Sequence, residues 1–144
     1  MSDRLHIRLA AGTDAEALAE LLGELGYPAD ALHVRRRLAR FDGDPHAMAL
    51  VACREGRVRG LATAHAHAAL NRDEPAVQLT LLVVSGALRG GGMGHALVAA
   101  AESWAERQGA RRLVVTTAVH RADAHAFYER LGYILTGRRY TRTW

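Results

Sequence analysis

Leu79-Thr80-Leu81-Leu82-Val83-Val84 leads through a short turn into Arg89-Gly90-Gly91-Gly92-Met93-Gly94, and from there into a stretch ending near Trp104. The first six residues are apolar apart from Thr80 and rich in branched side chains, which suits a strand covered on both faces. Beyond the glycines, Met93, Leu97, Ala101 and Trp104 recur in steps of four, four and three, one face of a helix. A glycine cluster between strand and helix leaves backbone N–H groups uncovered at the positive end of the helix. Such a place suits a phosphate.

Three phosphate-binding patterns compete. A P-loop requires Gly-Lys-Ser/Thr, and the chain contains no lysine. A dinucleotide fingerprint, Gly-x-Gly-x-x-Gly, starts at Gly90 and Gly92 but meets His95 at its third glycine. The pattern Arg/Gln-x-x-Gly-x-Gly/Ala is met by Arg89, Gly92 and Gly94, with Gly90 as a further match. It resembles the coenzyme A loop of the GNAT superfamily of N-acetyltransferases. The bland alternative is a tight glycine turn without a ligand.

At 144 residues, with 49% hydrophobic and 24% charged residues, the chain reads as a single domain, 1–144, with a real core. Its single cysteine, Cys53, excludes an intrachain disulfide and fits a reducing, cytoplasmic compartment. No signal peptide is expected, and no apolar run is long enough for a membrane span. All 19 basic residues are arginine, the net charge is +4 and the pI about 10.0, so an anionic partner is expected. The arginines are scattered, the densest run being Arg35-Arg36-Arg37 with Arg40, which faces several directions on a helix. A cofactor with several phosphates therefore fits better than nucleic acid.

Leu5 to Leu9 alternates as a first strand, and Thr13-Asp14-Ala15-Glu16 reads as a capping box opening a helix that ends at Gly26. Asp30 is expected to cap a second helix running to about Phe41. Ala47 to Arg54 and Val58 to Ala68 form a hairpin about Glu55-Gly56. After the central strand and the helix to Gln108, Gly109 is a stop. Leu113 to Val119 is a strand and Arg121 to Arg130 a helix stopped at Gly132. Tyr133 to Thr136 and Arg138 to Thr143 read as a final strand pair. The expected architecture is α/β: a mixed central sheet of six to seven strands with helices on both faces.

A second segment strengthens the resemblance. His120 to Tyr133 is similar to the GNAT pattern Asn-x-x-Ala-x-x-Phe-Tyr-x-x-x-Gly-Phe/Tyr, matching at Ala124, Phe127, Tyr128, Gly132 and Tyr133, with Arg121 where the family often has Asn. The resemblance covers about residues 76–140. It implies that Leu82, Val83 and Val84 lie on the strand that pairs with pantetheine, and that this strand carries a bulge. It implies that Arg89, Gly90, Gly91, Gly92, Met93, Gly94 and His95 surround the pyrophosphate. Gly86 stands where the family often has Pro.

The implied reaction is acetyl transfer from acetyl-CoA to a primary amine, by direct attack through a tetrahedral intermediate. The backbone N–H of Val84 would serve the oxyanion. Tyr128 matches the family's general acid for the departing thiolate and would also touch the cofactor. An alkyl ammonium must lose a proton before attack. The fourth and fifth strands offer no base there, so His65, His67 and Glu74 stand as candidates with none assigned. His65 and His67 share a strand face without further ligands at useful spacing, so no metal is expected. The missing base keeps a second reading open, a non-catalytic acyl-CoA-binding or sensor domain on the same fold. The acceptor is undefined, with a polycation favoured only by loop acids such as Asp42, Asp44, Asp73 and Glu74. A homodimer through the last strands stays open.

Overall fold

The computed structural model describes residues 4–86, 91–116 and 122–144. In chain order these form β1 (His6–Leu9), a 3-10 turn (Gly12–Asp14), α1 (Ala15–Leu25), α2 (Ala31–Ala39), β2 (Ala47–Arg54) and β3 (Arg57–His67). There follow β4 (Ala76–Val84), α3 (Met93–Arg107), β5 (Leu113–Val115) and α4 (Ala122–Arg130). The chain divides into two units, Met1–Val114 and Val115–Trp144.

Among the described residues the sheet has five strands in the order β1-β2-β3-β4-β5. β1 to β4 are antiparallel neighbours. Glu55 and Gly56 both take positive φ (54° and 73°), as the two-residue turn between β2 and β3 requires. One face carries α1 and α2 over Leu18, Leu21, Leu22, Val34, Val51, Leu61 and Val83. Cys53 is buried in that cluster as a small apolar group. The other face takes α3. Gly60 of β3 permits this approach, because a Cβ there would lie 3.0 Å from both Leu97 Cδ1 and Met93 Sδ.

The start of α1 differs from the expected capping box. Asp14 accepts two hydrogen bonds from Arg8 (2.8 and 2.9 Å) and one from the Ala11 N–H (2.8 Å). Its carboxylate closes the 3-10 turn, and α1 starts one residue later without a side-chain cap. Asp30 does cap α2, accepting from the His33 N–H at 2.9 Å. α1 and α3 each end with a left-handed glycine, Gly26 and Gly109, in the double-bonded motif that satisfies the last carbonyls.

β4 carries a bulge. Thr63 pairs with Leu81 but Ala64 pairs with Leu79, which leaves Thr80 as the extra residue. The consequence is a change of face along one strand. Leu79 opposes Ala64 on the α3 side, whereas Leu81 and Val83 oppose Thr63 and Leu61 on the α1–α2 side. The hydroxyls of Thr63 and Thr80 meet at 2.6 Å across the irregularity.

In the second unit α4 ends as α1 and α3 do. Gly132 (φ 92°) donates to Glu129, and Tyr133 donates to the carbonyl of Tyr128. The expectation of six to seven strands is corrected to five among the described residues, since 133–144 contains no strand. Ile134, Leu135, Tyr140 and Trp144 are 82–104% exposed. An alternating pattern becomes a strand only where a ladder partner and a buried face are supplied, and these side chains bury nothing. The predicted strand over Leu113 to Val119 is described only as far as Val115, and residues 117–121 lie outside the described residues.

Candidate active site

The first component is the backbone of β4. The Ser85 N–H bonds to the Arg59 carbonyl at 2.8 Å, and Val84 opposes Gly60 in the same register. Antiparallel ladders alternate, so Ser85 and Val83 spend their main-chain groups on β3. Leu82 and Val84 therefore aim their N–H and C=O groups away from β3. Of the three residues expected to meet pantetheine, Leu82 and Val84 turn their main-chain groups to the side on which β5 pairs with β4, and Val83 sends its side chain into the core.

The second component is the entry to α3. Gly92 is the N-cap with φ 84° and ψ −1°, a conformation that other residues adopt at a cost of about 1–2 kcal/mol. Among the described residues nothing lies within 4 Å of where its Cβ would be. The N–H groups of Met93, Gly94 and His95 sit in the first turn, where a helix offers them no internal acceptor. Met93 is buried, so its side chain anchors the turn while its amide stays available. Arg89 and Gly90 lie outside the described residues. The open space at Gly92 and the first-turn N–H groups fit a phosphate-bearing group.

Tyr128 belongs to the second unit. It is half-buried on α4, edge-on to Phe127 (5.1 Å) and to Tyr133 (5.7 Å). Burial pushes its phenol up to about 12, so it keeps its proton throughout the neutral range.

The three candidate bases are not at the end of β4. His65 and His67 are exposed and stacked 6.0 Å apart. His65 opposes Gln78, six strand positions before Val84 and so about 20 Å away along the strand. Glu74 precedes β4 altogether and lies 3.9 Å from Arg72. The carboxylate that does reach this end of the sheet is Glu24, whose Oε1 accepts the Gly86 N–H at 2.9 Å. Sequence reasoning missed it because it is one of several polar residues on α1. Only the packing of α1 across β4 brings it two residues past Val84.

On the α1–α2 face a cavity of about 280 Å³ lies among α1, α2, β3 and β4, walled by Leu18, Leu22, Leu61 and Leu81. Asp42 and Asp44 line a separate hollow together with Arg8 and Arg107. Among the described residues no group of three or more metal-ligating side chains occurs, and no helix is long and apolar enough to cross a membrane.

The fold is a mixed α/β sheet whose bulged fourth strand is followed by a glycine-opened helix. The profile of the Acetyltransferase (GNAT) family matches residues 15–133, and the chain belongs to that family. It is 34% identical over 99 residues to the aminoalkylphosphonate N-acetyltransferase of Salmonella typhimurium. That alignment takes in 69% of this chain and 64% of that enzyme's length. Among solved structures, a transcriptional regulator from Bacillus halodurans superposes with a TM-score of 0.91 at 22% identity, over 98% of this chain and all of that one. An aminoglycoside N-acetyltransferase in complex with CoA superposes with a TM-score of 0.88 at 21% identity, over 100% and 97% of the two chains. Members of the family use acetyl-CoA as acetyl donor.

Proposed function

We propose that this protein transfers the acetyl group of acetyl-CoA to a primary amine, as a single cytoplasmic catalytic domain. The observation that carries the reading is the bulged β4, whose Leu82 and Val84 turn their main-chain groups away from β3, followed by the left-handed Gly92 that opens α3. In this reading Leu82 and Val84 hold the pantetheine arm. The loop from Arg89 to His95 holds the pyrophosphate. Acetyl-CoA supplies the thioester carbonyl that the amine attacks, and the Val84 N–H stabilises the oxyanion of the tetrahedral intermediate. Tyr128 gives its proton to the leaving sulfur.

Glu24 takes the proton that the acceptor ammonium must lose. Its support is position: a carboxylate fixed at Gly86, beside the end of β4. His65, His67 and Glu74 are too far along the sheet to serve without a long relay. The name of the Salmonella relative supports a small amine as acceptor. Amine-dependent release of free thiol from acetyl-CoA tests the reading. Tight acetyl-CoA binding with no release for any amine favours the sensor alternative.

A further inference from the structure

The turn between β2 and β3 gathers charge of one sign. Arg54-Glu55-Gly56-Arg57-Val58-Arg59 sets three arginines against one glutamate. Arg54 ends β2, Arg57 opens β3, and the two are direct register partners across the two-residue turn. Opposed residues share a face of the sheet, with Cβ atoms about 4.5–5.5 Å apart. Cys53 enters the α1–α2 cluster, so alternation turns Arg54 and Arg57 to the face that carries α3. Like charges opposed in this way are unfavourable. Among the described residues no ion pair engages Arg54, Arg57 or Arg59, and Glu55 makes none either. Arg54 has a second unmet demand. Its Nε is buried and has no hydrogen-bond partner among the described residues. A buried donor without an acceptor is uncommon, and an ion is one of the groups that accounts for it.

We propose that Arg54 and Arg57 form a clamp for a phosphate group at this turn, in addition to the glycine loop. The clamp does not depend on acetyl transfer. Two guanidinium groups bring two full positive charges. A carboxylate cancels half of that, whereas a phosphate monoester, with a charge of about −1.5 to −2 at neutral pH, cancels nearly all of it. Its oxygens also serve both planar donor sets at once. The Arg54 Nε gains its missing acceptor when the side chain turns outward to the bound anion. α3 adds to the attraction from the same face. Its first turn reaches Gly60, three residues from Arg57, where a Cβ would lie 3.0 Å from Met93 Sδ. That turn is the positive end of the helix. The group arrives either as free phosphate or as the 3′-phosphate of coenzyme A, and the experiment separates the two.

The experiment titrates inorganic phosphate into the protein at constant ionic strength, read by calorimetry and by NMR of the arginine Nε–H groups. The Arg54 Nε–H resonance is expected to move with phosphate and to stay in place with chloride. Arg57→Gln, at an exposed position, should weaken phosphate binding about tenfold or more, as the loss of a charged hydrogen bond does. Arg57→Lys recovers part of the loss by restoring the charge without the planar fork. Arg111→Gln, a neutralised arginine elsewhere on the surface, leaves binding unchanged. Acetyl-CoA and its 3′-dephospho form then identify the source. A preference for acetyl-CoA that Arg57→Gln removes assigns the clamp to the coenzyme's own phosphate. Equal affinities for the two forms, with inorganic phosphate still dependent on Arg57, assign it to the free ion. An Arg54 resonance that ignores phosphate overturns the proposal, and so does phosphate binding that Arg57→Gln leaves intact.

Discussion

Tyr128 and Glu24 carry the proton traffic in this account, and each has a substitution that separates chemistry from packing. Phe in place of Tyr128 keeps the ring contacts with Phe127 and Tyr133 and deletes the donor. Turnover is expected to fall about a hundredfold or more, with acetyl-CoA affinity nearly unchanged. A stability titration gives a second readout. Between the unfolded phenol's pKa of about 10 and the folded value of about 12, the native state holds a proton that the unfolded chain has lost. Stability therefore falls as pH rises through that interval, and Tyr128→Phe should remove this increment of the fall. For Glu24, Gln retains an oxygen that can accept the Gly86 N–H while losing the ability to take a proton. Glu24→Gln should slow transfer about a hundredfold at neutral pH without changing the melting temperature. An unchanged rate would reduce Glu24 to a clip between α1 and the turn after β4.

At the scale of elements, legibility in the sequence followed how local the cause was. β2 runs over the expected residues, and Gly26, Gly109 and Gly132 end their helices as anticipated, because a left-handed glycine acts within a few residues of itself. The exchange of faces along β4 was less legible. Leu79 and Leu81 are two apart and read as neighbours on one face, and only the register against β3 shows that Thr80 splits them. The start of α1 was hidden for a similar reason. Asp14 looked like part of a cap, but its carboxylate is engaged by Arg8 from β1. That link makes a prediction. Asp14→Asn should destabilise the fold by about 1–3 kcal/mol, nearer the low end because the guanidinium is 39% exposed. The Arg8 hydrogen bonds hold the Asp14 carboxyl below its usual value. Its stabilisation is therefore complete above the unfolded pKa of about 3.9 and is lost as pH falls through the lower folded value. Acid unfolding of the wild type compared with Asp14→Asn should show this dependence vanish.

Over the whole molecule, the basic balance and the glycine loop pointed together at a phosphate-bearing partner, and the family assignment agrees. The expected final strand pair did not form, since nothing in the composition of Tyr133 to Trp144 states whether a neighbour will cover its apolar residues. The acceptor side was also silent in sequence. The most direct test of the account as a whole is mass spectrometry of a small amine after incubation with the protein and acetyl-CoA carrying an isotopically labelled acetyl group. The labelled acetyl group is expected on the amine nitrogen, with one equivalent of free thiol for each acetyl moved. An unlabelled amine, with acetyl-CoA bound but intact, would contradict it.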